Sequence, residues 1–402
     1  MRKKIIGFFV CMLMLAGVFV PVATTISIQH EAPQIMSDTL FNRHIQMLMR
    51  FAHKPSLAAC IIFNDKVVWS HAYGYYDIES KKEATTHTLY LQASISKTIT
   101  ATALMQLYEK GLFNLDDDVN KYLPFSLRNQ YHPDIPITIR MILSHHSSLA
   151  DDNLHWVALS YLPGDPDTEG FPYPWLKEYL TPGGSAYSSS TWSLAKPGEK
   201  YYYANIGYSI IGYLVEILSH QNFDDYCKEH IFTPLQMNAT GFRLRDCNIN
   251  TIAVPYEYKN GAYFRHPQYG MDVLYPAMSL RTSIEEYSHF IIANMNGGVW
   301  NGVRILNAST VELMHTAQFS PDDKNNYGIG WQLINTPFKK IYSHGGAMVG
   351  IYNLVRVTPN DNTALILFSN ACNPEITSTL IERKAFIAIF DALYFKAKMI
   401  TS

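Results

Sequence analysis

Leu91-Gln92-Ala93-Ser94-Ile95-Ser96-Lys97-Thr98-Ile99-Thr100-Ala101 is the stretch on which the reading of this chain turns. Ile99, Ala103, Leu104 and Leu107 recur at helical spacing, so a helix is expected from Ser94 to about Glu109. A serine three residues before a lysine puts hydroxyl and amine on one face of that helix. The helix N-terminus also favours negative charge on the serine oxygen or its adduct. A serine hydroxyl is a poor nucleophile until a nearby base takes its proton, and an amine partly desolvated in a cleft is such a base. Alone, Ser-x-x-Lys reads equally well as an N-cap serine with a solvated lysine. What lies further along the chain decides between them.

The chain has 402 residues, enough for a large core and two to three domain-sized units. Hydrophobic residues make up 48% and charged residues 16%, which excludes disorder as the main state. A net charge of −2 gives no basic footprint, so nucleic acid is not an expected partner. Many of the 27 tyrosines fall between Tyr161 and Tyr213, and aromatics with a polar tip suit a cleft wall as well as a core.

Met1-Arg2-Lys3-Lys4 followed by the apolar run Ile5 to Ala23 reads as an export signal over residues 1–30. The same run, residues 5–23, is nearly long enough to span a bilayer, so an uncleaved membrane tether is the alternative. Either places the protein in the periplasm or outside the cell. Cys60 sits in an apolar strand and reads as a buried thiol, while Cys227 and Cys247 are a candidate disulfide in an oxidising compartment. No Cys-x-x-Cys or His-Glu-x-x-His spacing for a metal occurs.

Asp38 to Ala52 reads as an amphipathic helix, with Leu40, Ile45, Met47 and Leu48 on its apolar positions. Leu57 to Phe63 and Val67 to Tyr75 are β-rich runs around Asn64-Asp65-Lys66, a hairpin signal. Ile351 to Val357 and Thr363 to Ser369 form a second hairpin around Pro359-Asn360-Asp361, and a helix from about Pro374 to Leu393 follows. The expected fold class is α+β: an antiparallel sheet covered by terminal helices, drawn from about residues 36–115 and 325–400. A mainly helical insertion, about 116–324, lies between, with helices at Ile139 to Leu143, Tyr208 to Leu218 and Ile284 to Met295. Within it Pro163 to Trp192 is rich in Pro, Gly, Ser and Tyr, with no clear period. It reads either as a loop bordering a cleft and limiting substrate size or as a surface insertion.

Two further stretches carry chemistry. In Pro197-Gly198-Glu199-Lys200-Tyr201-Tyr202-Tyr203-Ala204-Asn205, a phenol lies two residues before an amide just ahead of a helix. Tyr203 could act as acid/base there while Asn205 hydrogen-bonds an acyl group. In Tyr342-Ser343-His344-Gly345-Gly346, small residues beside the second hairpin let a substrate lie against a strand edge.

In this order the three stretches resemble the serine β-lactamase and penicillin-binding-protein superfamily, in particular its class C-like branch. Ser94 with Lys97, Tyr203 with Asn205, and His344 with Gly345-Gly346 match its three motifs. Supporting stretches include Ile137 to Ser148, Pro234 to Met237, Tyr327 to Trp331 and Phe368 to Asn370. A glycine usual in the first of these is replaced at His146-Ser147-Ser148, and a glycine pair is missing around Pro276 to Leu280. The third motif has histidine where true β-lactamases carry lysine.

The resemblance implies an acyl-enzyme at Ser94, with Lys97 and Tyr203 moving the proton and backbone N–H groups of Ser94 and of the strand after Gly346 holding the oxyanion. Catalytic Ser94, Lys97 and Tyr203 and substrate-binding Asn205, His344, Gly345 and Gly346 are thus expected, with no metal or cofactor. The implied substrate is a small molecule or cell-wall peptide, with a D-amino-acid peptide or short ester favoured. The alternatives are a class C-type β-lactamase and a slow-turnover penicillin-binding sensor module. An α/β-hydrolase is disfavoured because no Gly-x-Ser-x-Gly occurs.

Overall fold

The computed structural model describes residues 38–151, 162–164, 173–271, 273–319, 326–335, 339–372 and 380–401. Two hairpins from distant parts of the chain build one sheet. Ser56–Phe63 (β1) and Lys66–Asp77 (β2) meet through Asn64 and Asp65, whose φ values of 45° and 60° close a two-residue turn. Ile351–Thr358 (β6) and Thr363–Ser369 (β7) are joined by the turn Pro359–Asp361 and by Asn362 at φ 46°. Lys82–Glu83 (β3), Gln332–Asn335 (β4) and Lys340–Met348 (β5) complete the antiparallel order β4-β5-β6-β7-β1-β2-β3.

The central strands β1 and β7 are buried along their length because both faces of the sheet are covered. Leu57, Ala59 and Ile61 point to one side and Ala58, Cys60 and Ile62 to the other, and Leu365/Leu367 against Ala364/Ile366 repeat the alternation in β7. The outer face packs on the terminal helices Asp38–Phe51 (α1) and Leu380–Thr401 (α7). Lys396 of α7 lies 4.5 Å from the Phe41 ring and bonds Asp38 at 2.6 Å, fastening one helix to the other. In α1 the buried stripe is Phe41, Ile45, Leu48 and Met49. Leu40 and Met47, expected on that face, are exposed. The start expected for the last helix, Pro374, lies outside the described residues, and its end runs beyond Leu393 to Thr401.

On the inner face sits Ser96–Glu109 (α2), buried on nearly every side. Its Thr98, Thr100 and Thr102 hydroxyls donate to the carbonyls of Ile95, Pro276 and Thr98, so the buried threonine hydroxyls of this central helix are satisfied. Around it lie Ile139–Leu143 (α3), Asn205–Ser219 (α5) and Ile284–Met295 (α6), near their expected places. Tyr173–Leu180 (α4) was not expected. It lies in the stretch read as lacking period, where Trp175 and Tyr179 stack at 4.9 Å over buried Leu176 and Leu180. Residues 165–172 of that stretch lie outside the described part.

No disulfide joins Cys227 to Cys247. Cys227 packs in the main core, whereas Cys247 lies beside Leu89, Leu244 and Ile252. The apolar run of residues 5–23 is also outside the described part. Among the described residues no helix is long and apolar enough to cross a membrane.

Candidate active site

Ser94 does not open the helix as expected. It sits in a 3₁₀ turn, Ala93–Ile95, and α2 begins at Ser96. The residue before it, Ala93, has φ 49°, a left-handed conformation that disfavours any side chain. Such strain persists only where the surroundings over-determine it. Here Gln92 N–H donates to the Leu280 carbonyl (2.7 Å), Asn353 Nδ2 to the Leu91 carbonyl (2.8 Å) and Ser96 Oγ to the Ala93 carbonyl (2.6 Å). Gly346 of β5 lies against the same turn. A Cβ there would stand 2.1 Å from the Gln92 carbonyl oxygen, so this glycine serves close backbone approach. β4 pairs with β5 only from Lys340 to Ser343, so among the described residues that edge of β5 has no strand partner from His344 onward.

Lys97 is fully buried. Its Nζ lies 3.1 Å from Ser94 Oγ and donates to Asn205 Oδ1 (2.7 Å) and to the Ala277 carbonyl (3.1 Å). Burial brings its pKa down to about 7, partly opposed by the nearby Asp151 charge. Two of the three directions around the nitrogen end on atoms that can only accept. A neutral amine must spend its two N–H bonds on them, and its lone pair then faces Ser94 Oγ. That is the geometry of a base.

Tyr203 enters just ahead of α5, its ring centroid 5.0 Å from Lys97 Nζ. Its hydroxyl is buried beside the Ser94 hydroxyl and makes no hydrogen bond of ordinary geometry among the described residues. Burial raises its pKa well above the phenol value, outweighing the lowering effect of the adjacent Ser94 hydroxyl, so it stays a protonated donor. His145 stacks on Tyr203 at 4.2 Å, and its Nδ1 accepts the Ala204 N–H at 3.2 Å. Burial, then Lys97, keeps this imidazole neutral.

The third stretch behaves differently from its sequence reading. Tyr327 Oη donates to His344 Nε2 (2.8 Å), and His344 Nδ1–H donates to the Gly345 carbonyl (2.8 Å). Both ring nitrogens are therefore engaged within the protein. Burial, then Lys97, drops the His344 pKa to about 3, far below the 6.5 of a free imidazole. Gly330, φ 78°, lets the Tyr327 segment close on α2, since a Cβ there would lie 2.7 Å from that of Ala101.

Ser94, Lys97, Tyr203 and Asn205 thus meet at one point, and His344 to Gly346 lie along the neighbouring strand. Sequence reasoning missed Asp151, Tyr327 and the Ala277 carbonyl. Tyr327 stood in a quoted stretch without a role, a backbone carbonyl carries no signal in sequence, and Asp151 belongs to no motif.

A sequence model of the family described as Beta-lactamase matches residues 41–386. The chain belongs to the beta-lactamase family of serine hydrolases. Protein flp of Staphylococcus aureus (strain MW2) is 24% identical over 356 residues, covering 86% of this chain and 64% of that protein. Penicillin-binding protein 4* of Bacillus subtilis (strain 168) is 27% identical over 329 residues, 76% of this chain and 65% of its own length. The chain therefore spans just under two thirds of these curated relatives. The solved structure of EstCE1, a hydrolase with promiscuous acyltransferase activity, shares the fold. Its TM-score is 0.70 at 17% identity, over 88% of this chain and 98% of that one.

Two departures from the beta-lactamase family pattern have structural answers. Ser148, where a glycine is usual, keeps a glycine-like φ of 63°, and its Oγ accepts a hydrogen bond from Asn129 Nδ2 at 2.9 Å. The stretch lacking a glycine pair forms the helical turn Tyr275–Met278, whose Ala277 carbonyl accepts from Lys97.

Proposed function

We propose that the protein hydrolyses an amide or ester through an acyl-enzyme at Ser94. The observation that carries this reading is the bonding of Lys97 Nζ, which leaves a neutral amine's lone pair directed at the serine hydroxyl. Ser94 Oγ attacks the carbonyl carbon as its proton passes to Lys97 Nζ. The Ser94 N–H and the Ala347 N–H, just after Gly346, would serve as oxyanion donors, a reading supported by the close approach of the turn to β5. As the tetrahedral adduct collapses, the leaving group takes a proton from Tyr203 Oη, which Lys97 restores. Water then attacks the acyl carbon and gives a proton to the same pair, which passes it to Ser94 Oγ as the acyl C–O bond breaks and the acid leaves. Intact-mass analysis after a fluorophosphonate, a penicillin and a short ester tests this. An adduct is expected on Ser94, and an adduct elsewhere would overturn the reading.

The acid limb of the pH profile follows from Lys97. The neutral amine is the active form and its pKa is about 7, so kcat/KM should rise about tenfold per pH unit below that value and level off above it. His145 and His344, both pushed low, should add no limb between pH 5 and 8. A profile that is flat from pH 5.5 to 8.5 would remove Lys97 from the role of base.

For the acyl donor, we favour a short ester or D-amino-acid peptide over a β-lactam. A lysine in place of His344 would offer a cation to the carboxylate of a classical β-lactam. His344 is neutral with both nitrogens engaged. Lacking that charge-assisted bond should lower efficiency on such substrates by roughly 1.5–3 kcal/mol, one to two decades. The expected result is a higher kcat/KM for a p-nitrophenyl ester than for nitrocefin. The reverse order would make this a class C-type β-lactamase, and a burst of product without steady turnover would make it a penicillin-binding sensor. The basic start and apolar run of residues 1–23 support export to the cell envelope, which cell fractionation would test.

A further inference from the structure

Asp151 stands outside all three motifs, yet its carboxylate is buried at the N-terminus of α5. Its Oδ2 accepts from the Asn205 backbone N–H (2.7 Å) and from Asn205 Nδ2 (2.7 Å), and its Oδ1 from the Ile206 N–H (3.4 Å). Capping a helix explains the two backbone bonds. It does not explain the bond to the Asn205 side chain.

We infer that Asp151 is a positioning residue whose carboxylate fixes which way the Asn205 amide points and so aims the Lys97 lone pair at Ser94. This rests on Lys97 being the base proposed above. Burial raises the Asp151 pKa to about 6, and above that pH the ionised carboxylate only accepts, so the amide nitrogen of Asn205 must face Asp151 and the amide oxygen must face Lys97. That oxygen, at 2.7 Å, claims one N–H of Lys97, and the Ala277 carbonyl claims the other. Rotating the amide by half a turn would present its NH₂ to Lys97. The only atom able to receive that donor is the amine lone pair, which would then be drawn away from Ser94. One buried carboxylate thus sets, two hydrogen bonds away, whether the base faces its substrate proton.

The titratable groups facing Lys97 are few. Asp151 approaches from the chain ahead of α4, His145 from the turn after α3, Tyr203 and Tyr208 from α5 and the segment before it, and His344 from β5. The two imidazoles are held neutral and both phenols are raised by burial. Asp151 is the group that favours the charged form of Lys97, raising a pKa that burial lowers.

The test uses the full chain and its Asp151→Ala variant, with kcat and KM for p-nitrophenyl butyrate from pH 5.5 to 9. A methyl group at 151 accepts no hydrogen bond, so it cannot dictate the Asn205 orientation. We expect kcat to fall about 10–100-fold, a misaligned catalytic group being that costly, with KM within about twofold. The acid limb should move to lower pH, because removing a negative charge beside Lys97 disfavours its ammonium form. A cap and nothing more would lower the melting temperature and leave kcat and the limb where they were, which would overturn the inference. Asp151→Asn provides the second reading if the first variant does not fold. Its side-chain oxygen can take both bonds now made to Oδ2, so kcat should stay within about threefold of the wild type, and a loss of about tenfold or more there would tie turnover to the charge rather than to the amide's orientation and overturn the inference. Fluorophosphonate labelling separates the two layers. Unlabelled Ser94 in the wild type defeats the proposed function, whereas wild-type labelling rates in Asp151→Ala defeat only the role of Asp151.

Discussion

Ser94→Ala is expected to abolish turnover and covalent labelling together while leaving the melting temperature close to that of the wild type. Ser94 Oγ is the serine oxygen that Lys97 Nζ reaches, at 3.1 Å. Removing it takes away the atom proposed to be acylated, and no other motif supplies a nucleophile. The loss should exceed about 10³-fold, as removal of a covalent nucleophile does elsewhere. Stability should change little, because the turn is held by Gln92, Ser96 and Asn353, none of whose bonds involve the Ser94 side chain. Intact mass after fluorophosphonate and a thermal melt by circular dichroism check both halves. A wild-type adduct on a different serine would end the assignment, whatever the melt showed.

Lys97→Ala and Tyr203→Phe should each lower kcat/KM by several decades, and the double variant should be little slower than the worse single one. In the proposed mechanism one proton passes through both groups: Lys97, at a pKa of about 7, takes it from Ser94, and Tyr203, held protonated by burial, hands one to the leaving group. Removing either breaks the whole relay, so the second removal finds little left to lose. The two variants should differ in one respect. Tyr203→Phe keeps the ring that stacks on His145 at 4.2 Å and should fold normally. Lys97→Ala empties a fully buried position, which costs stability as well as rate. Single-turnover acylation rates for the two single variants and the double decide the matter. Independent, multiplicative losses would mean that the groups serve separate steps.

Much of the fold was legible because the signals that specify it are short-range. A hairpin needs only two apolar runs and a turn that tolerates positive φ, and Asn64-Asp65 supplies that between β1 and β2. Ser94 and Lys97 are three residues apart, and one turn of backbone brings such a pair together whatever surrounds it. The errors have equally physical sources. Leu40 and Met47 in α1 were placed on the buried face because the pattern leaves the exact angle of the stripe open, and packing on β1 and β7 chose Phe41 and Met49 instead. Helix α4 was hidden because Trp175 and Tyr179, set among Pro, Gly and Ser, look like loop aromatics until they stack. Cys227 and Cys247 could be paired on paper because nothing in sequence says that they sit in different clusters.

By itself, then, the sequence determined which hairpins form, which residues share a helical turn, and the identity of the groups that could do the chemistry. Their states were decided by tertiary structure. Whether Lys97 is a base or an ammonium depends on its complete burial, and whether His344 can offer a proton to a substrate depends on Tyr327 and the Gly345 carbonyl. The left-handed Ala93 exists only because Gln92, Ser96 and Asn353 hold it, and the last of these is about 260 residues away. Asp151 and Asn205 find each other across 54 positions. A pKa and a hydrogen-bond direction are properties of what surrounds an atom, and in this protein most of those surroundings arrive from distant parts of the chain.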